Sequence, residues 1–372
     1  MNIGYFIRKD WFPPKAGSTI HAYQVATKLM ERGHEISTIF CGAGGPGVHA
    51  YSKSQLLGFL RDVDVLYVRH AWDTAKMTLL KALTGGATPV VWEVNAPLEE
   101  RRLFGVTPGQ FARLQYYRRR LAPLVDACIC NTRTLADYVG NRWGIRRSLV
   151  VPLGSDPELF SPRTGLDDSL RPYAGRFKVV WAGTPKYVWQ AVEDIVEVAR
   201  RMATLDPEVV FILIGNLAHL RALAPPSSNV VLVEQKNYIE VPAFLRAGDV
   251  GLCLYRDDGL GLPFYRSPLK LFDYMACGMV PIVSDNEETR RVVRHGENGV
   301  LVNGDVQEVV DWILQLKRDP GGRRAMCRAA REDVEQYYNW GRVADDTEQI
   351  LLAALEGREG WRRLMDPVVP AA

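Results

Sequence analysis

At 372 residues the chain exceeds the size of one ordinary hydrophobic core, so two domains of similar size are expected. Apolar residues make up 47% and charged residues 24%, a globular balance that excludes a disordered chain and supplies material for two cores. A formal charge of +3 is small for this size and argues against a nucleic-acid protein whose whole surface is basic, leaving room for local basic patches.

Short apolar runs rich in Val and Ile alternate with segments of helical period, the pattern of parallel strands joined by covering helices, so the fold class is α/β. The first strand is expected at Asn2 to Ile7. Its run meets Arg8, Lys9 and Asp10 too early for a secretory leader, and no later stretch reaches the roughly 18 apolar residues of a membrane span. A cytoplasmic protein is expected. The loop Lys9 to Ile20 then carries Pro13, Pro14, Lys15, Ala16, Gly17 and Ser18 ahead of a helix over Ser18 to Arg32, with Ser18 as its cap and Gly33 as its stop. Ligands of open parallel sheets lie beyond the carboxyl ends of the strands, which makes this loop a candidate site. Gly17 permits close backbone approach, and the free amides of a helix start attract phosphate oxygens. An ordinary capped turn fits the same residues equally well, and the GxGxxG dinucleotide fingerprint is absent.

Further strands are expected at His34 to Phe40, Asp64 to Arg69, Pro89 to Val94, Ala127 to Asn131 and Leu149 to Leu153. Gly42, Gly44, Gly45 and Gly47 read as a flexible loop. Asp62 and Asp64 lead into a strand instead of following one, and Asp257 with Asp258 lacks a third ligand, so no metal site is expected. His70, just past the third strand, is the candidate imidazole near the carboxyl ends of the strands, although a lone histidine is more often structural. Within Arg113 to Arg120, Tyr116 and Tyr117 precede Arg118, Arg119 and Arg120. That cluster suits an anionic membrane surface or an acidic acceptor, and a solvated helix face explains it more simply.

Pro152 to Arg171 holds Pro152, Pro157 and Pro162 with Gly154 and Gly165 and reads as a linker, where a hinge is expected. The plan then repeats, with strands near Lys178 to Ala182, Val209 to Gly215, Asn229 to Glu234, Val250 to Tyr255, Val280 to Ser284 and Gly299 to Asn303. From Asp319 and Pro320 the chain reads as helical to about Glu356, followed by an irregular tail around Trp361. The expected division is 1–160 and 161–354, with 355–372 packing back on the first domain. Cys41, Cys128, Cys130, Cys253, Cys277 and Cys327 form no CxxC pair and read as buried free thiols.

The most informative stretch is Tyr255 to Ser284. A strand ends, a polar glycine-rich loop follows, and Ser267, Pro268, Leu269 and Lys270 open a helix. With Ser267 as cap and Pro268 at the first helical position, the next amides and the positive dipole end would face an anion, and Lys270 would add a full charge. Asp273 lies one turn on and could accept from a ribose diol. A capped helix with a surface Lys and Asp fits these residues about as well.

Ser267 to Pro281 (SPLKLFDYMACGMVP) resembles the donor-site signature of retaining GT-B glycosyltransferases of group 1. In the same order, Gly17 to Glu35 resembles that family's first loop and helix, Val150 to Pro162 (VVPLGSDPELFSP) its interdomain segment, and Val179 to Gly183 the opening of its second domain. The resemblance covers most of the chain. It implies two Rossmann-like domains with parallel sheets facing a central cleft, an acceptor domain first and a donor domain second. It implies a retaining, metal-independent hexosyltransferase whose co-substrate is a UDP- or GDP-linked sugar, with no further cofactor. The acceptor would be a glycan, a lipid-linked sugar or a small molecule, met in the cytoplasm or at the inner membrane surface through Tyr116 to Arg120. Gly17, Ser18, Lys186, Gly215, Ser267, Pro268, Leu269, Lys270 and Asp273 would bind the donor, and Asn95 and His70 would serve at the reacting centre.

The sequence departs from the family's pattern at three places. Tyr265 and Asp273 stand where many members carry paired glutamates, Gln190 stands where a lysine usually falls, and Asn95 in WEVNAP replaces a histidine. A neutral amide is no base, which fits a mechanism in which the leaving diphosphate takes the acceptor proton. A sugar-nucleotide epimerase of the same fold, or a non-catalytic nucleotide-sugar binder, are the competing readings.

Overall fold

The computed structural model describes residues 1–7, 12, 14, 17–39, 45–69, 77–79, 88–162, 167–224 and 227–365. The chain divides into two compact units, 1–152 together with the chain from Trp340 on, and 153–339, against the expected divisions 1–160 and 161–354.

The first unit is built on seven strands: β1 (Asn2–Phe6), β2 (Glu35–Ile39), β3 (His49–Tyr51), β4 (Val65–Arg69), β5 (Val90–Val94), β6 (Ala127–Cys130) and β7 (Ser148–Val150). They pair in parallel in the order β3-β2-β1-β4-β5-β6-β7. Ile3, Val68, Trp92 and Ile129 are buried because parallel strands take helices on both faces, which is why the central strands read as unbroken apolar runs. β3 escaped the sequence reading: it is a polar, three-residue edge strand with no apolar run to mark it. The Gly17–Glu31 helix buries Ile20, Ala22, Val25, Ala26 and Leu29. It starts one residue earlier than expected, so Ser18 lies inside its first turn and is not its cap.

The second unit carries β8 (Phe177–Ala182), β9 (Val209–Gly215), β10 (Val230–Glu234), β11 (Val250–Cys253), β12 (Val280–Ser284) and β13 (Val300–Val302), in the order β10-β9-β8-β11-β12-β13 and again parallel. Val179, Trp181, Phe211, Leu213, Leu252 and Ile282 form one core with Ile195, Val198 and Met202 of the Val192–Leu205 helix.

The long helical stretch expected after Pro320 is broken at Tyr337–Asn339, between the Pro320–Gln336 and Trp340–Glu356 helices. That break is where the chain leaves the second unit. The Trp340–Glu356 helix lies along the Gly17–Glu31 helix, where Arg32 Nη2 meets Asp345 Oδ1 at 2.5 Å and His34 Nε2 lies 2.6 Å from Glu348 Oε1. Trp361 belongs to a further helix, Arg358–Met365, and not to an irregular tail, and its buried indole stacks under Arg147 at 4.8 Å.

Candidate functional site

The strand order of the second unit reverses between β8 and β11, and the crevice beyond the carboxyl ends at such a point is where a parallel sheet offers its backbone to ligands. Gly183 follows β8 there, and Gly215 ends β9. A Cβ on Gly183 would come within 2.7 Å of Gln190 Oε1 and 2.9 Å of Lys270 Nζ, and one on Gly215 within 2.8 Å of the Gly183 carbonyl. The glycines therefore let the Lys270 side chain settle directly onto the strand end. Its Nζ donates to Gln190 Oε1 at 2.5 Å and sits 4.6 Å from the centre of the Trp181 ring. Burial lowers the lysine to about 8, against a smaller opposing pull from Cys253. Among the described residues no carboxylate pairs with this ammonium, so its charge is available to an anion. The Trp181 indole N–H, also buried, has no partner among them.

The helix that carries Lys270 runs Leu269–Ala276, so Pro268 occupies the cap position (φ −79°, ψ 108°) and makes no side-chain cap hydrogen bond. The expectation that Ser267 caps and Pro268 opens the first turn is thus shifted by one residue. The Leu271 amide bonds back to the Pro268 carbonyl at 3.0 Å, so the amides of Leu269 and Lys270 are the ones at the positive dipole end. Asp273 differs from its expected setting. It is 6% exposed, and its Oδ1 accepts from Ser155 Oγ at 2.6 Å. Burial raises its carboxyl to about 8, and Asp156 adds to the rise while the Ser155 bond opposes it.

The loop between β11 and this helix is pinned from within. Asp258 Oδ2 accepts from Arg266 Nη1 at 2.7 Å and from the Tyr265 hydroxyl at 3.1 Å, while the Arg266 guanidinium lies over the Trp189 ring at 4.6 Å. Tyr265 is therefore an anchored, buried ring. Asp257 accepts from the Gly259 amide, and no group of three or more metal-capable side chains occurs among the described residues. Lys186 stands exposed over the Tyr187 ring at 5.1 Å.

In the first unit the order reverses between β1 and β4, and a buried polar cluster lies by those strand ends. Glu93 of β5 is 1% exposed. Its Oε2 accepts from the Tyr5 hydroxyl at 2.8 Å, and its Oε1 lies 3.0 Å from His21 Nδ1, 3.4 Å from Arg69 Nη1 and 2.5 Å from Asn95 Nδ2. Burial opposes ionisation, yet Arg69, His21 and the Asn95 amide together hold this carboxyl well below the usual range. An ionised carboxylate only accepts, so the His21 contact requires the proton on Nδ1, and Asn95 must turn its NH₂ inward. Asn95 is half-buried.

The sequence singles out Asn95 but not Glu93, His21, Arg69 and Tyr5, the rest of this cluster. A signal was available in WEVNAP and VLYVR, where a charge in or ending an otherwise apolar strand needs a buried partner. Gly17 and Ser18 open their helix, both exposed. His70 and half of the Lys9 to Ile20 loop, Lys15 and Ala16 among them, lie outside the described residues. Asp62 and Asp64 have structural partners, Tyr51 Oη at 3.0 Å and the Asn2 amide at 2.6 Å. Arg118 is withdrawn from the expected surface cluster: it is buried over the Trp92 ring at 5.4 Å, while Tyr116, Tyr117, Arg119 and Arg120 stay exposed.

Comparison with known proteins supplies two successive family matches, Glycosyltransferase Family 4 over residues 39–159 and Glycosyl transferases group 1 over residues 176–319. A GDP-mannose-dependent monoacylated alpha-(1-6)-phosphatidylinositol monomannoside mannosyltransferase of Corynebacterium glutamicum is 24% identical over 214 residues, 54% of this chain and 55% of that protein. A D-inositol 3-phosphate glycosyltransferase of Rhodococcus jostii is 26% identical over 263 residues, 65% of this chain and 55% of that protein. The chain spans about half the length of these curated relatives. Among solved structures, HepE of Anabaena in complex with UDP superposes with a TM-score of 0.72 over 95% of this chain and 100% of its own, at 16% identity, a likeness of fold.

Proposed function

We propose, from the premise that the chain belongs to the GT-B glycosyltransferases, that it is a retaining transferase moving a hexose from a UDP- or GDP-linked donor to a hydroxyl-bearing acceptor. The observation that carries this reading is the Lys270 ammonium, seated on Gly183 beside the start of its helix and, among the described residues, hydrogen-bonded to a neutral amide and to no carboxylate. A diphosphate is the ligand that such a site suits. It takes hydrogen bonds from the amides of Leu269 and Lys270, charge from Lys270 with Lys186 nearer the solvent, and close backbone approach at Gly183 and Gly215.

In the step itself the C1–oxygen bond to the diphosphate breaks and a C1–oxygen bond to the acceptor hydroxyl forms on the same face. The hydroxyl proton passes to the leaving diphosphate oxygen, so neither a protein base nor a metal is required. Within the first unit, Asn95 has its NH₂ turned to Glu93, which leaves its carbonyl oxygen as an acceptor for a hydroxyl group. Exposed Tyr116 and Tyr117 beside Arg113, Arg119 and Arg120 suit contact with an anionic bilayer, the setting of a lipid-linked acceptor. No helix among the described residues is long and apolar enough to cross a membrane.

The test is proton NMR of the protein with UDP-glucose and with GDP-mannose, in the presence of excess chelator. Release of nucleotide with the α-anomer formed first is expected. A β-anomer formed first overturns retention, and turnover abolished by chelator overturns metal independence.

A further inference from the structure

The segment that enters the second unit lies against the donor-site helix. Gly154 has no room for a side chain, since a Cβ there would stand 2.7 Å from the Asn339 carbonyl carbon and 2.9 Å from the Tyr338 oxygen. This close approach lets Ser155 form a parallel bridge with Asn339 and donate its amide to the Tyr338 carbonyl at 2.9 Å. Asp156 then turns the chain by accepting from the Glu158 and Leu159 amides, each at 3.1 Å. Arg331 donates to the carbonyls of Phe160 at 3.0 Å and Pro157 at 3.1 Å, and also to the last carbonyl of the helix, Ala276.

The segment is therefore clamped along the helix, with the Ser155 hydroxyl, itself fully buried, aimed at Asp273 Oδ1. The other oxygen, Oδ2, has no hydrogen bond within the described protein and is not among the fully enclosed polar atoms that lack a partner. An aspartate is one methylene shorter than glutamate, and a carboxyl that could swing would give a ribose no fixed partner. Fixing one oxygen costs the second its freedom and leaves it to hydrogen-bond a ribose hydroxyl, a group that both donates and accepts.

We infer that Ser155 is a positioning residue of the donor site, holding Asp273 by one oxygen so that the other meets the ribose diol of a nucleoside diphosphate. The inference rests on the donor-site reading given above.

Calorimetric titration of the full chain with UDP, 2′-deoxy-UDP, 3′-deoxy-UDP and the corresponding guanine nucleotides tests it, on the parent, Ser155→Ala and Ser155→Thr. The parent is expected to prefer a ribonucleotide over one of its deoxy forms by about tenfold, one hydrogen bond's worth. Ser155→Ala should lose most of that preference while its affinity for the deoxy form is unchanged, and Ser155→Thr, which keeps the hydroxyl, should restore it. A Ser155→Ala protein that discriminates as the parent does overturns the inference. So does one that weakens ribo- and deoxynucleotides equally, the mark of a merely structural role, or a parent indifferent to both ribose hydroxyls. A parent that binds none of these nucleotides overturns the donor-site reading itself, and the inference falls with it.

Discussion

A carboxylate in the interior is stable only where donors surround it, and Glu93 has Tyr5, His21, Arg69 and Asn95 within reach. Removing it leaves the Arg69 guanidinium buried without its counter-charge, an error that costs about 3–5 kcal/mol. Glu93→Ala is therefore expected to lower the unfolding free energy by that order in urea titration. The same pair sets an acid limit. Because the folded-state value of Glu93 is depressed, its stabilisation is fully present above the ordinary carboxyl range and is lost as pH falls below it, toward the folded value. The acid limb of a stability-versus-pH curve should become shallower in the Glu93→Ala protein.

Lys270 carries the opposite kind of prediction, because burial lowers it to about 8. An anion favours its charged form, so binding of a nucleoside diphosphate should draw in a proton near pH 8 and weaken as pH rises above it. Calorimetry in buffers of different ionisation enthalpy reads that uptake directly. An uptake unchanged in Lys270→Ala would show that another group titrates. Neither this lysine's perch on Gly183 nor the Ser155–Asp273 bond was legible in the sequence. Their partners lie far apart along the chain, and only the sheet order brings them together.

At the level of elements, all twelve strands expected from apolar runs are present, with ends displaced by no more than three residues, because burial on both faces writes itself as a continuous run of Val and Ile. What composition could not mark was polar or brief: the β3 edge strand and the turn at Tyr337–Asn339. Helix starts were misplaced by one residue at both Gly17 and Leu269, since a serine in the right neighbourhood looks like a cap whether or not it makes the bond. The pairing of the 154–155 segment with 338–339 rests on the absence of a side chain at Gly154. Gly154→Ala drives a methyl into two backbone atoms that cannot rotate away, and a loss of about 1–3 kcal/mol is expected in thermal or urea unfolding. An unchanged midpoint would mean that the two segments can part without cost.

On the scale of the whole molecule, two parallel sheets, each with a reversal of strand order, give each unit a place where backbone and charge face a ligand. The first unit fills its place with a buried, self-paired network ending in Asn95, and the second holds a lysine that no carboxylate among the described residues pairs, beside a helix start. On the function proposed above, the anionic donor belongs to the second unit and the acceptor hydroxyl to the first. The measurement that tests it most directly is calorimetric binding of UDP, GDP, ADP and dTDP to the parent and to Lys270→Ala. The account predicts one preferred nucleotide, UDP or GDP, with affinity reduced at least about tenfold by the substitution. Binding of none of the four, or binding indifferent to Lys270, would contradict it.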